Sequence, residues 1–176
     1  MTKRQIHYEG AFEDFLRVQG IPYVAVDEAR RAIFGKASLK SFDFVVYSHE
    51  GPNLLVDIKG RKFPDTAAAG KKHTTRAWEN WITRQDVEGL EQWQGVFGQD
   101  FRAVLVFAYW LQGSERTSPF DDVYFYHNSY YAFMTMTLDD YVSQARPRSE
   151  KWQTIAVPSR TFADSAVDVR QMMGVL

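Results

Sequence analysis

The sequence predicts a single α/β domain with a mixed central β-sheet flanked by helices. Segments with helical period alternate with apolar runs of strand length, in the order helix, strands, helix, strand, and this order is typical of such a sheet. The chain has 176 residues, which is enough for one domain with a sizeable core. No internal repeat, low-complexity tract or linker divides it. We therefore expect residues 1–176 to form one domain.

The first predicted element is a helix over residues 8–19. Phe12, Phe15 and Leu16 fall near one face of this helix, and Gly20 can close it as a C-cap. The next elements are predicted to be a short strand over residues 21–26 and a short helix over residues 28–34 with Asp27 as its N-cap.

Two apolar runs follow, over residues 42–47 and 54–59, and we predict that both are strands separated by a turn. The second run is apolar enough to be a central strand buried on both faces. Because side chains alternate along a strand, Asp57 and Lys59 near its end point to one face and Ile58 points to the other. Charged groups at such a place are costly unless they are paired or bind a metal.

These two strands carry the residue types that phosphodiester cleavage needs. Asp43 on the first strand and Asp57 on the second could hold a divalent cation together with the Ile58 carbonyl. Such a cation lowers the pKa of a bound water and neutralises charge on the scissile phosphate, and Lys59 could orient the water or stabilise the developing charge. The pattern therefore predicts a metal-dependent nuclease.

The second half of the chain continues the same alternation. Residues 83–97 have helical period, and residues 101–110 are the most strand-like run, which predicts a central strand. The remaining elements are predicted as strands over residues 122–127 and 130–137 with a turn at 128–129, a short helix over 138–144, an edge strand over 154–157 and a final helix over 162–173.

A long polar loop is predicted over residues 60–81, and loops of this length within a domain are usually functional. The basic residues in and just after it, which could neutralise backbone phosphates, are Arg61, Lys62, Lys71, Lys72, Arg76 and Arg84. Arg61 and Lys62 are the preferred contacts because they adjoin Lys59. We expect the tryptophans of this segment to pack on the core rather than to stack on a base.

Composition excludes several other classes of protein. The net charge of −1 argues against a protein that coats DNA, although it leaves room for a local basic surface. The chain has no cysteine, so it has no disulfide, no thiol nucleophile and no cysteine-bound zinc. It lacks a GxxxxGKS phosphate-binding loop, so no nucleotide cofactor is expected. No apolar run is long enough to span a bilayer, and we expect a soluble cytoplasmic protein without a membrane partner.

Taken in order, the motifs resemble a known family. The features that carry the likeness are Glu9 and Glu13 on the leading helix, Phe42-Asp43-Phe44, Asp57-Ile58-Lys59, the helix over residues 84–97 and the strand residues 103–108. Together, residues 8–110 resemble the PD-(D/E)xK, restriction-endonuclease-like nuclease superfamily, with the closest likeness to archaeal-type Holliday junction resolvases. Residues 111–176 have no counterpart in this resemblance and are expected to form an extension of strands and short helices.

The resemblance implies a restriction-endonuclease-like mixed sheet with helices on both sides and a magnesium-dependent site, in which manganese would substitute. It assigns Asp43 and Asp57 as metal ligands and Lys59 as the catalytic lysine. It also implies an acidic residue on the first helix, which is Glu9 or Glu13. Residue 42 is Phe where the motif name has Pro, a position that chelates nothing.

The implied partner is duplex or branched DNA, and the implied assembly is a homodimer. One alternative is a catalytically silent nucleic-acid-binding or protein-interaction module on the same fold. Another is an unrelated fold in which the motif is accidental. Asp86, at the start of the later helix, is interpreted as an N-terminal cap that also stabilises the helix dipole, and Gln85 is a weaker candidate for the site.

Overall fold

Two long parallel strands lie side by side in the sheet and carry most of its buried residues. They are β3 (Asn53–Phe63) and β5 (Phe101–Leu111), and all eleven residues of each are paired with the other. Valine, leucine and aromatic residues make up most of β5, and residues 54–58 of β3 are apolar except for Asp57, as expected for strands buried on both faces.

The computed structural model describes residues 3–26, 40–65, 78–113 and 118–175. The helices are α1 (Lys3–Val18), α2 (Arg84–Phe97), α3 (Leu138–Gln144), α4 (Ser159–Ser165) and α5 (Val169–Met172). The other strands are β1 (Tyr23–Ala25), β2 (Phe44–Val46), β4 (Ile82–Thr83), β6 (Tyr124–Tyr126), β7 (Ser129–Thr137), β8 (Arg146–Ser149), β9 (Thr154–Ala156) and β10 (Val167–Asp168). None of the helices within these ranges is both long enough and apolar enough to cross a membrane.

Within the described ranges, seven strands form a mixed sheet in the order β1-β2-β3-β5-β7-β10, and β6 also pairs with β7. The β3–β5 pair is parallel and the other pairs are antiparallel. A separate three-stranded sheet has the order β4-β9-β8. The fold class predicted from the sequence, a mixed sheet with helices on both sides, is confirmed.

The two faces of the large sheet bury different helices. One face packs against α1 and α5, and Val56 and Ile58 of β3 belong to this face. The other packs against α2, α3 and α4, and Leu55 and Phe63 of β3 belong to it. Because side chains alternate, the odd-numbered charged residues of β3 lie on the α2 face, in line with Leu55 and Phe63.

Several predicted elements differ from the structure. The strand that carries the Asp-Ile-Lys motif does not end there, because β3 continues for four residues beyond Lys59 alongside β5. The final helix predicted over residues 162–173 is wrong. It is divided into α4 and α5 by β10, whose Val167 pairs with Thr135 of β7.

Two smaller details of the second half also differ. The predicted edge strand is the middle strand of the small sheet, where it pairs with both β4 and β8. The turn between β6 and β7 is one residue earlier than predicted, at His127 and Asn128, which have φ of 45° and 59°. The predicted helix over residues 28–34, its cap Asp27, and the basic residues Lys71, Lys72 and Arg76 lie outside the described residues.

Candidate active site

Asp43 is fixed at the start of β2 by three hydrogen bonds. Its backbone N–H donates to the Val56 carbonyl over 2.8 Å, and its own carbonyl accepts from the N–H of Val26 over 2.8 Å. Its carboxylate Oδ2 accepts from the N–H of Ile58 over 2.7 Å. The side chain of Asp43 is therefore held against β3 at the Asp57-Ile58-Lys59 motif.

Asp57 and Lys59 project from β3 to the same face and form an ion pair. Lys59 Nζ lies 2.7 Å from Asp57 Oδ2. The Asp57 residue is only 6% exposed, so its carboxylate is almost fully removed from water. Lys59 Nζ also lies 3.2 Å from Oδ1 of Asp86, which comes from the first turn of α2. The ammonium group is thus held between two buried carboxylates.

Asp86 is the residue that ties α2 to this site. Its Oδ2 accepts from the backbone N–H and the hydroxyl of Thr83, over 2.7 Å and 2.6 Å, and completes a capping box. Its Oδ1 is 2.7 Å from Lys40 Nζ, in addition to the contact with Lys59. Asp86 caps the helix as the sequence predicts, and it also holds two lysines.

The two motif carboxyl groups are electrostatically unfavourable when both are charged. Burial raises the pKa of Asp43 to about 8, and the nearby Asp57 carboxylate contributes to that rise. Burial likewise raises the pKa of Asp57, although the charge of Lys59 opposes the rise. The two carboxyl groups are close enough for each to affect the pKa of the other. Two buried carboxyl groups this close share a proton or a cation in preference to both standing as free anions.

The pKa shifts of Lys59 and Asp86, in contrast, favour the charged form of each group. Burial alone would lower the pKa of Lys59, but the carboxylates of Asp57 and Asp86 outweigh it and raise that pKa. Burial alone would raise the pKa of Asp86, but the charge of Lys59 and the hydrogen bonds from Lys40 and Thr83 lower it well below the usual range. Lys59 is therefore an ammonium group and Asp86 a carboxylate at neutral pH.

The structure distinguishes the two acidic residues of α1. Glu9 is close enough to Asp43 to raise its pKa, whereas Glu13 accepts a hydrogen bond from the Tyr23 hydroxyl over 2.9 Å. The reason is the docking of α1 on β3. A Cβ added to Gly60 would lie 2.2 Å from the ring of Tyr8, so the ring packs directly on the backbone just beyond Lys59.

The three described basic residues of the predicted phosphate-contacting set have different surroundings. Arg61 donates to the carbonyls of Gly60 and Trp81, and its guanidinium carbon lies 4.3 Å from the centre of the Trp81 ring. Arg61 therefore fixes Trp81 against β3 beside the motif. Lys62 and Arg84 are exposed, and Nζ of Lys62 lies 5.3 Å from the Trp110 ring.

The tryptophans of the same segment follow the expectation only in part. Trp78 packs edge-on against Phe63 and Phe120 on the α2 side of the sheet, as expected for a core tryptophan. Trp81 is instead contacted by two arginine side chains, Arg61 and Arg148.

The donors at this site are oxygen atoms, which suit a hard divalent cation. Among the residues that the structure describes, no group of three or more His, Asp or Glu side chains is arranged to hold a metal ion. Asp43 and Asp57 would therefore supply two carboxylates. Mg²⁺ is commonly bound by one or two carboxylates and keeps several waters. Burial is the main cause of the raised pKa of Asp43, and a cation between Asp43 and Asp57 would relieve the repulsion from Asp57 that adds to it.

Comparisons with known proteins identify the fold. No protein-family model matches the chain, and no curated protein matches it significantly. Among solved structures it is similar to Hjc, a Holliday junction resolvase from the archaeal hyperthermophile Archaeoglobus fulgidus, with a TM-score of 0.56 and 14% sequence identity. The chain has a restriction-endonuclease-like fold. The match covers 96% of this chain and 99% of the resolvase chain.

Within the restriction-endonuclease-like fold, sequence reasoning missed two residues that contact the site. Lys40 lies in a region with no clear periodicity, and nothing in the sequence relates it to Lys59. The contact of Asp86 with Lys59 was hidden by its simpler explanation as a helix cap. One signal could have revealed it, since Asp86 is followed by Val87 and Leu90, which place the start of α2 against the sheet.

Proposed function

We propose that this protein is a metal-dependent endonuclease that hydrolyses phosphodiester bonds in DNA. The observation that carries the proposal is that Asp43 is hydrogen-bonded to β3 between Asp57 and Lys59, so that two carboxyl groups and an ammonium group lie close together. The likeness in fold to a Holliday junction resolvase supports DNA as the substrate and makes a branched DNA the first one to test.

Magnesium is the cofactor that we propose, with manganese as a substitute. Asp43 and Asp57 would hold it, and the Ile58 carbonyl is a further oxygen ligand in the proposal. When bound, the cation supplies a water of lowered pKa and neutralises charge on the scissile phosphate. Glu9 adds a third negative charge beside Asp43 and would help to attract the cation.

Lys59 acts in this mechanism as a fixed positive charge. Because its pKa is raised, it stays protonated and does not serve as a general base. Its ammonium group orients the attacking water or stabilises the charge that develops on the phosphate. Asp86 would keep Lys59 in place, since this contact would remain if the Asp57 carboxylate were shared with a cation. Asp86 is thus a positioning residue.

The test is cleavage of a labelled panel of linear duplex, four-way-junction and single-stranded DNA with magnesium or manganese. Asp57→Asn and Lys59→Ala should each lower the rate by about 100-fold or more, as expected for loss of a group that stabilises the transition state. Asp140→Asn, which removes an exposed carboxylate at the start of α3, should cut like the unaltered protein.

Three outcomes separate the possibilities. Metal-dependent cutting that both site variants lose supports the proposal. Cutting that survives both substitutions would mean that these residues are not the site. Absence of cutting on every substrate, by protein whose fold is verified, would favour the second candidate function.

That second candidate is a catalytically silent module that binds nucleic acid or protein. The observation favouring it is that the Asp57 carboxylate is already paired with Lys59, and that the described residues contain no cluster of three metal ligands. Calorimetric titration of magnesium into the unaltered protein and into Asp43→Asn distinguishes the two functions. Metal binding that depends on Asp43 fits the nuclease, and no metal binding fits the silent module.

A further inference from the structure

The β8–β9 hairpin, residues 146–156, concentrates exposed positive charge in a chain whose net charge is −1. Arg146, Arg148 and Lys151 are all exposed, and Glu150 is the hairpin's single acidic residue. Within the described part of the chain, none of these three cations forms a salt bridge. Three cations against one carboxylate on so short a segment make a local surface for an anionic partner.

An exposed indole lies at the tip of this basic hairpin. Trp152 is 68% exposed, and Lys151 Nζ lies 5.3 Å from its ring centre. The turn that carries it is well ordered by hydrogen bonds: the N–H of Trp152 donates to Ser149 Oγ over 3.3 Å, and the N–H of Gln153 donates to the Glu150 carbonyl over 3.2 Å. The charges and Pro147 of β8 have a simpler explanation, because charge and proline on an edge strand protect a protein against aggregation. That role requires no large exposed aromatic ring.

The basic hairpin is joined to the proposed active site. In the small sheet, β9 pairs with β4, whose Thr83 caps α2 beside Asp86. The N–H of Arg84, the first residue of α2, donates to the Gln153 carbonyl over 2.9 Å. The hairpin is therefore fixed to the same end of α2 that holds Lys59.

A β-bulge directs one hairpin arginine towards the site. Pro147 pairs with Ile155 and Ser149 with Thr154, so Arg148 is the extra residue of β8. Its guanidinium carbon lies 5.4 Å from the Trp81 ring, which Arg61 also contacts. Arg61 is two residues beyond Lys59 on β3, which corresponds to about 7 Å along the strand. Arg148 therefore lies against the same ring as a β3 residue close to Lys59.

We propose that the basic hairpin is a DNA-binding element that holds one strand beside the active site, with cations on the backbone phosphates and Trp152 stacked on an unpaired base. The choice of DNA rests on the proposed function. Stacking on an indole needs a base that is free of its neighbours, so the element fits single-stranded or branched DNA better than intact duplex.

The experiment measures binding without cleavage. Fluorescence anisotropy is recorded for fluorescein-labelled single-stranded, duplex and four-way-junction DNA in EDTA, over a range of salt concentrations. The variants are Trp152→Ala, Trp152→Phe and the triple variant Arg146→Ala/Arg148→Ala/Lys151→Ala. The matched controls are Arg17→Ala, an exposed cation on α1, and Phe125→Ala, an aromatic on β6 that is 56% exposed.

The triple variant should bind all three probes at least about tenfold more weakly at low salt, and its log-log salt slope should be shallower by about 2, since each lost phosphate contact lowers the slope by about 0.7–0.9. Trp152→Ala should weaken binding of single-stranded and branched DNA by about tenfold with little change on duplex, and Trp152→Phe should restore most of it. The two controls should bind as the unaltered protein does.

Two results would overturn the proposal in different ways. If the unaltered protein cuts DNA and the triple variant keeps its affinity and salt slope, the hairpin assignment is wrong and the proposed function stands. If the unaltered protein binds none of the probes in EDTA, the hairpin assignment fails, and the proposed function is decided by the cleavage panel with metal. Because every substituted side chain is exposed, thermal melting should show intact folding for each variant.

Discussion

Two helices of this protein begin with the same pattern of residues, Thr-x-x-Asp, but in different surroundings. At the start of α2 the N–H of Asp86 donates to Thr83 Oγ over 3.2 Å, and the threonine hydroxyl donates to the aspartate over 2.6 Å. At the start of α3 the corresponding distances for Thr137 and Asp140 are 3.1 Å and 2.6 Å. These two bonds are nearly the same in both caps, and the α2 cap has in addition the bond from the Thr83 N–H to Asp86 that completes its capping box.

The two capping aspartates differ in their exposure and in the residues that contact them. Asp140 is exposed, and its carboxylate has no lysine partner among the described residues. Asp86 is 6% exposed, and its Oδ1 contacts the ammonium groups of both Lys59 and Lys40. A capping pattern therefore identifies where a helix starts, whereas the role of the capping carboxylate depends on which residues the fold packs against it.

The largest expected difference between the two caps is in cleavage. Asp86→Asn removes the charge that holds Lys59, and misplacing a catalytic group by about 1 Å costs about 100-fold in rate. Asp140→Asn should leave the rate unchanged. Single-turnover cleavage of the preferred substrate by both variants measures this directly.

A double variant distinguishes the loss of Lys59 positioning from a purely structural effect of Asp86→Asn. In a Lys59→Ala background, adding Asp86→Asn should lower the rate no further, because the group it positions is already gone. An unchanged rate for Asp86→Asn alone, or additive losses in the double variant, would leave Asp86 as a cap and nothing more.

The next difference is in stability. Asp86→Asn leaves Lys59, whose side chain is 17% exposed, without one of its two carboxylates, and breaking a buried pair in this way costs about 3 kcal/mol. Asp140→Asn keeps a capping side chain at an exposed position, so we expect a loss below about 1 kcal/mol. Urea unfolding of the two variants tests the contrast. Equal losses would show that the lysine contacts contribute little.

A third prediction compares Asp86 with Asp43, whose pKa values shift in opposite directions. Asp43 binds its proton more tightly when folded, so its contribution to the unfolding free energy is fully present below about pH 4 and is lost as the pH rises towards 8. Asp86 binds its proton less tightly when folded, so its contribution is present above about pH 4 and is lost as the pH falls below it.

Metal-free urea unfolding across this pH range should therefore show two separable slopes. Asp43→Asn should flatten the fall in unfolding free energy between about pH 4 and pH 8. Asp86→Asn should flatten the fall in unfolding free energy below about pH 4. Magnesium should restore stability at pH 8 in the unaltered protein and not in Asp43→Asn. If stability rises from pH 5 to 8 in the absence of metal, the repulsion between Asp43 and Asp57 is not as the geometry implies.

The same contrast explains how much the sequence could predict. Apolar runs and a D-x-K spacing are local signals, and they located the two motif strands, α2 and the central strand β5 correctly. The division of the last predicted helix by β10 depends on pairing between Val167 and Thr135, which lie far apart in the chain. Sequence period cannot register a contact of that kind.

The candidate site divides in the same way. Asp43, Asp57 and Lys59 could be proposed from their spacing. In the structure Lys59 pairs with Asp57, and Asp43 accepts a hydrogen bond from the N–H of the intervening Ile58. Arg61 lies in a run of basic residues that looks like a surface, yet β3 continues beyond Lys59 and turns its guanidinium towards Trp81. The extension of β3 depends on β5, which begins about 40 residues later.

The smallest effect is expected for Lys40, the second lysine on Asp86. Its side chain is 42% exposed, so the surrounding water screens its contact with Asp86 and we expect Lys40→Ala to cost less than about 1 kcal/mol. Its removal leaves Lys59 as the sole lysine on that carboxylate, and the cleavage rate should stay within about twofold. Single-turnover cleavage and urea unfolding of this variant measure both quantities. A rate loss comparable to that of Asp86→Asn would mean that Lys40 itself acts on the substrate, and that Asp86 positions two cations instead of one.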